Sequence, residues 1–305
     1  MRSTLQRLVV LACALLLAPA AQAWNAAGHR LGAAIAWQQL DEATRIRLGH
    51  LLEQHPDYPA WIARAHGLPP AYAAFLEAST WPDDIRRDVR FHDEDEAPGA
   101  RQSGFPDLSR HRDWHHVDRP IGHAPRKARS GGTLDLQFDR LQATLADHRQ
   151  PAAARAYALP WLIHLVGDAH QPLHAVSRFD ATGEGDDGGN ALTVDNPFHP
   201  RRNSMSLHAY WDDLPGPPWL RGDRLETAAQ RMMRETVAPR TAGTLTHWLD
   251  ESEALARSTV YAGLDGEVPT LTAEYHERAL RTARERVALS GHRLALLLRQ
   301  LLAGD

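Results

Sequence analysis

A single, mostly helical domain with long loops is the fold class that this chain of 305 residues predicts. Three observations point to it. Apolar residues recur at three- and four-residue intervals in one segment after another, the period of a helix with a buried face. Polar stretches containing Gly and Pro separate these segments and read as loops. No linker-like, low-complexity or repeated stretch divides the chain, so one large domain over residues 24–305 is preferred to two small ones.

Residues 1–23 are set aside first. Arg2 and Arg7 precede an apolar run from Leu8 to Leu17, and Ala21-Gln22-Ala23 follows. A basic start, a short apolar run and a small-residue site predict a signal peptide cut before Trp24, hence an exported protein, periplasmic or extracellular. The run is shorter than the ~20 residues that span a bilayer. No later stretch reaches that length, so stable membrane association is not expected. Cys13 is the only cysteine, and Val10-Leu11-Ala12 before it is a poor lipidation signal. The mature chain would then carry neither thiol nor disulfide.

The remaining elements follow in order. Leu31, Ile35 and Leu40 predict a helix near the mature N-terminus, and residues 70–90 predict one or two more. Trp81-Pro82 marks a start there, since proline suits the first helical turn. Residues 91–112 are polar, contain Pro and Gly, and read as loop. Helices are expected over 134–148 and 152–170, with Pro172 near the end of the second. "EGDDGGN" at 184–190 reads as a turn-rich loop, and the following "ALTV" as a short strand. Residues 204–213, 223–236, 244–262 and 271–301 again read as helices. The chain beyond residue 213 carries no further motif and reads as scaffold.

Charge narrows the function. The chain has 34 basic and 38 acidic residues, a formal −4; without the two arginines of residues 1–23 this becomes 32 against 38, or −6. A protein that slides along duplex DNA usually shows a basic excess. The 18 histidines stand out more, because neutral imidazole is the commonest metal ligand. In "HLVGDAHQPLH", His164 and Asp168 stand four apart, which on a helix puts both on one face. "LHAYWDD" repeats the arrangement with His208 and Asp212. With His174, brought back by the break at Pro172, these make five groups of the kind that bind zinc. His170, two residues past Asp168, should face elsewhere. Asp83 in "TWPDDIR" and His115 in "DWHHVD" are further candidates; alone, each is equally a first-turn acid or a partly buried ring.

Taken together, "WNAAGH", "WPDDIR", "HHVD", "HLVGDAHQPLH", "GGNALTV" and "LHAYWD" resemble, in order and spacing, the zinc-dependent nucleases typified by fungal nucleases P-one and S-one. The zinc phospholipases C of bacteria belong to the same superfamily. The resemblance covers Trp24 to Asp212 and implies an all-α domain of the phospholipase C / nuclease P-one type with three Zn²⁺ in a cleft. It implies one zinc on Asp83, His115, His164 and Asp168, and a second on His29, the shared Asp168 and the α-amino nitrogen and carbonyl oxygen of Trp24. The third would take His174, His208 and Asp212. An α-amine has a pKa near ~7.7–8.0, low enough for zinc to displace its proton. Arg86 and Asp118 match positions near the site and are expected to pair, with Arg86 positioning substrate. Asn190 matches the Asn of the "GGN" segment and is expected to hold the phosphate or a neighbouring ligand.

The implied activity is metal-assisted hydrolysis of phosphodiesters in single-stranded DNA and RNA to 5′-phosphorylated products, with 3′-nucleotidase activity on nucleotides. No obligatory protein partner is implied. The chain departs from the family pattern in places. His116 replaces an aromatic that stacks on a base, Asn25 replaces a Gly, and Ser206 an Asn. Lack of the disulfides seen in eukaryotic members implies a bacterial one. Two rivals stand behind this reading. A zinc phospholipase C would carry Glu at Asp212, and a non-catalytic periplasmic zinc-binding protein would bind phosphate only incidentally.

Overall fold

Asn25 starts the fold. Its side-chain oxygen accepts hydrogen bonds from the N–H groups of Ala27 (2.9 Å) and Gly28 (3.4 Å), which would otherwise lack intrahelical partners. The computed structural model describes residues 24–65, 67–97, 99–124, 131–199 and 201–303, so the expected signal segment lies outside the described residues. The first six helices are α1 (Ala26–Gln39), α2 (Glu42–Glu53), α3 (Tyr58–Ile62), α4 (Pro70–Ala78), α5 (Trp81–Asp84) and α6 (Leu134–Ala146). They are followed by α7 (Ala152–Asp168), α8 (Leu207–Asp213), α9 (Gly222–Glu235), α10 (Leu245–Leu255) and α11 (Ala273–Leu301).

Helix α7 is the axis of the domain. Every residue from Ala156 to Asp168 is buried, as expected of a helix apolar on all sides. It packs on α6, α11 and α2, and also touches α1, α4 and α5. Any polar group on it is therefore either satisfied inside the protein or reserved for a ligand.

Two small strand pairs serve the site. β1 (Arg119–Gly122) and β2 (Val176–Phe179) run parallel, with Arg119 opposite Val176. Just before them, Val117 N–H donates to His174 O at 2.9 Å, so the pairing lashes the segment after His115 to the segment after Pro172. β3 (Thr193–Asp195) and β4 (Ser204–Ser206) are antiparallel. β4 delivers the chain to α8, where Ser206 Oγ accepts from Ala209 N–H at 3.1 Å.

The mostly helical single domain expected from sequence is the fold observed, with several boundaries moved. The segment 70–90 divides into α4, α5 and a 3₁₀ turn at Ile85–Arg87. Residues 204–213 are not wholly helical, because Ser204–Ser206 pairs with the strand anticipated in "ALTV". Residues 244–262 are α10 followed by a π turn at Ala256–Val260. Helix α7 stops at Asp168, and Pro172 opens a 3₁₀ turn, Pro172–His174. Among the described residues no helix is long and apolar enough to cross a membrane.

Candidate metal centre

Four elements bring five side chains to the inner face of α7. His164 and Asp168, one turn apart, lie with Nε2 and Oδ2 3.4 Å apart, and neither is exposed. The 3₁₀ turn Arg112–His115 adds His115, whose Nδ1 lies 3.1 Å from Asp168 Oδ2 and 3.0 Å from His164 Nε2. From α1, His29 stacks on His164 with ring centroids 3.8 Å apart, and its Nε2 is 3.5 Å from Asp168 Oδ1. From α5, Asp83 Oδ2 reaches within 3.9 Å of His164 Nε2. Gly167 makes this approach possible: a Cβ there would lie 2.8 Å from His29 Nδ1. The donors fall into two overlapping groups, His29/Asp83/His164 and His115/His164/Asp168, each with ligand atoms within 4.8 Å of one another.

A third group is built from His174, His208 and Asp212. The two Nε2 atoms face each other at 3.1 Å, with Asp212 Oδ2 3.5 Å from His208 Nε2. Each ring is held through its other nitrogen. His174 Nδ1 donates to His115 O at 2.6 Å and His208 Nδ1 to Gly188 O at 2.7 Å, as His164 Nδ1 does to Ser79 O at 2.8 Å. Such outer bonds fix the tautomer and aim the remaining lone pair. Gly188 adopts φ +59°, and a Cβ on it would meet Leu173 O at 2.7 Å. This position needs glycine.

These groups fit metal ions better than they fit one another. Burial pushes the imidazoles of His29, His115 and His174 well below their ordinary range and lowers His164. The same burial pushes the carboxyls of Asp168 and Asp212 well above theirs. With their Nδ1 hydrogens committed, His174 and His208 set their Nε2 atoms 3.1 Å apart, and in the neutral rings these carry two facing lone pairs. That contact is repulsive unless a cation lies between them. Both ring nitrogens of His29, Nε2 of His115, Oδ1 of Asp83 and Oδ1 of Asp168 are buried without a hydrogen-bond partner in the protein. Each such atom costs roughly 1–3 kcal/mol when left unmet. A borderline-soft divalent ion with a tetrahedral preference for imidazole and carboxylate, such as Zn²⁺, answers these demands together, apart from the second ring nitrogen of His29.

The structure thus gathers His29, Asp83, His115, His164, Asp168, His174, His208 and Asp212, all proposed from sequence as ligands. Trp24 is fully buried beside them, and the N–H of Asn25 donates to Asp212 O at 3.1 Å, tying the foot of α1 to the third group. Arg86, His116, Asp118 and Asn190 line one recess with His115, His174 and His208. Arg86 and Asp118, expected to pair, each have another close neighbour. Arg86 Nε lies 3.5 Å from Asp83 Oδ1, three residues back on the same turn, while Asp118 Oδ2 lies 3.0 Å from His116 Nδ1. Burial alone would lower the His116 pKa; the adjacent carboxylate of Asp118 outweighs it and raises it. Asn190 Nδ2 donates to Asp187 O at 2.7 Å and lies 3.4 Å from His208 Nδ1. His170 turns away, as expected: its Nδ1 donates to Val166 O at 2.7 Å and its Nε2 accepts from Arg293 at 2.8 Å.

Sequence spacing missed Gln171. Fully buried, it donates through Nε2 to Asp212 Oδ1 at 2.9 Å and accepts Leu173 N–H on Oε1 at 2.6 Å. It thereby orients one carboxylate of the third group and caps the turn that carries His174. Its place between the candidate ligands Asp168 and His174 was the only available signal.

Fold and donors together define a helical metalloprotein with clustered His/Asp sites at the floor of a cleft. The profile described as S1/P1 nuclease matches residues 24–303, and the chain belongs to that family of zinc-binding nucleases. No curated protein matches it.

Proposed function

We propose that this chain is an exported, zinc-dependent endonuclease. Its substrates would be single-stranded DNA and RNA, cut to 5′-phosphorylated products, with 3′-nucleotidase activity on mononucleotides. The observation that carries the reading is the facing pair of imidazoles, His174 and His208, beside a His/Asp cluster with unsatisfied buried atoms, next to an arginine-lined recess. Asp83, His115, His164 and Asp168 would hold one zinc; His29, Asp168 and the Trp24 amine and carbonyl a second; His174, His208 and Asp212 a third. Bound there, Zn²⁺ supplies Lewis-acid activation of water at neutral pH and neutralises charge developing on phosphoryl oxygens.

The protein's own groups do the rest. Arg86, beside Asp83, offers a guanidinium to the non-bridging oxygens of the scissile phosphate. His116, braced by Asp118, presents a ring face on the recess wall against which a base can stack. Asn190, fixed by Asp187 O, offers its amide near His208. The recess is small, about 170 Å³. A flexible strand can feed one phosphate to its floor, whereas duplex DNA, with a persistence length of ~50 nm, resists the bend required. Export is supported by the start of the family match at Trp24, the residue that would follow signal cleavage.

The test is hydrolysis of heat-denatured DNA, the same DNA annealed, and phosphatidylcholine vesicles by zinc-loaded protein. Denatured DNA should be cut much faster than annealed DNA, and the lipid left intact. Lipid cleavage without nuclease activity would make the chain a phospholipase. Zinc binding without hydrolysis of any of the three would make it a storage protein.

A further inference from the structure

Resting on the nuclease reading, we propose that Arg112 forms a second phosphate subsite, holding the phosphate next to the scissile one. Arg112 was not among the residues singled out by sequence, yet it lines the same recess as Arg86, His115, His116 and Asn190. It is the first residue of the 3₁₀ turn that ends at His115. In such a turn residues i and i+3 superpose, with a rise of ~2.0 Å per residue. Arg112 therefore stands on the same side as a metal-ligand candidate, about 6 Å along the axis. A stacked strand advances ~3.4 Å per nucleotide, and an unstacked one more. The spacing suits adjacent phosphates of an unstacked strand.

The guanidinium is fixed before any ligand arrives. Its Nε donates to Asp93 Oδ1 at 2.6 Å and its Nη2 to Oδ2 at 3.3 Å, which directs the Nη1 end away from this carboxylate. Asp93 also accepts from Arg110 Nη1 at 3.2 Å, so one carboxylate serves two guanidinium groups. The side chain of Arg112 is 41 % exposed. The turn is anchored by His111, which adopts φ +48° and stacks on Trp114 at 3.7 Å. A non-glycine residue in the left-handed region is uncommon and is tolerated where surrounding contacts fix it. With a formal charge of −4, the chain's net charge does not attract a polyanion, so cations placed in the cleft supply local attraction.

The experiment removes charge from either side of the contact, using zinc-loaded protein and a deoxytrinucleotide with two phosphodiesters. In two positional isomers the linkage flanking the cut is a neutral methylphosphonate. Wild type should lose about tenfold in kcat/KM on one isomer, the scale of one charge-assisted hydrogen bond. Arg112→Ala and Arg112→Gln should lose about tenfold on the all-phosphate substrate and be indifferent to the swap. Arg112→Lys should fall between. Their salt dependence on single strands should be shallower by ~0.7 in log–log slope. Arg110→Ala, which removes the other guanidinium on Asp93 from outside the recess, should keep the wild-type response to the swap. A wild type insensitive to both isomers, or an Arg112 variant as sensitive as wild type, overturns the subsite and leaves the nuclease reading standing. Wild-type protein unable to cut any of the three substrates overturns both.

Discussion

Two clusters of ionisable groups, one half-buried and one buried, lie on either side of the segment that follows α7, and they are satisfied in opposite ways. Behind it, Glu251 accepts from Arg286 Nη1 at 2.6 Å and from Arg293 at 2.7 and 2.8 Å. Arg286 Nε reaches on to His170 O at 3.2 Å, and Ser252 Oγ donates to Ala169 O at 2.7 Å. There both arginines meet one carboxylate within the protein, although Arg293 Nε is left without a hydrogen-bond partner. In front, on the cleft floor, carboxylates and imidazoles are buried as deeply as Arg286, Arg293 and His170 are behind, but key atoms have no protein partner. The first cluster is a brace that holds the loop between Asp168 and His174; the second is a receptor. Burial alone does not separate structure from function here. Contact between opposite charges does: the brace sets two guanidinium groups on a carboxylate, whereas the floor gathers lone pairs.

The comparison breaks most sharply at Asp168, the carboxylate within reach of His29, His115 and His164. Asp168→Asn keeps the shape and removes the charge. Hydrolysis of single-stranded DNA should fall by on the order of 10³-fold or more, the scale on which damage to a preorganised charged site slows enzymes. At least one zinc should be lost, while the fold, braced from behind, persists by circular dichroism. Near-normal hydrolysis by a folded Asp168→Asn protein would sink the assignment.

The brace is sharpened by acid. Burial alone would raise the Glu251 pKa, but hydrogen bonds from Arg293 and Arg286 outweigh it and pull it from 4.5 to about 2. Because the folded value is depressed, this contribution is complete above pH ~4.5 and is lost as pH falls toward about 2; a shift of that size is worth about 3 kcal/mol. Metal-free wild type and Glu251→Gln, unfolded in urea at pH 6 and again near pH 2, should differ in stability by about 3 kcal/mol less at the lower pH. A gap unchanged by acid would mean that the carboxylate is not ionised in the folded protein.

Much of the cleft floor was legible in the sequence because its ligands come in local units. His164/Asp168 and His208/Asp212 are helical pairs, and spacing alone aims them. What spacing could not give was pairing over long separations. Arg86 has Asp83 3.5 Å away on its own turn and Asp118 has His116 at 3.0 Å, neighbours that motif matching did not anticipate. The β1–β2 pairing that draws His115 to His174 involves four-residue strands, one containing proline, too short to show alternation. Residues beyond 213 read as scaffold, yet Arg286 and Ser252 grip the backbone of the ligand loop. Their partners are main-chain carbonyls, which leave no mark in a motif.

The central claim, that the unsatisfied donors of the cleft floor are metal ligands, is tested most directly by counting zinc. Protein beginning at Trp24 is dialysed against Zn²⁺, and metal per chain is measured together with the rate on single-stranded DNA, before and after chelation. The account predicts three zincs, loss of metal and activity together, and return of both on adding Zn²⁺. One extra residue before Trp24, which turns its amine into an amide, should lower the count by one and slow hydrolysis. Full hydrolysis by a chain holding no zinc would contradict the account, and so would a chain that stays metal-free in excess Zn²⁺.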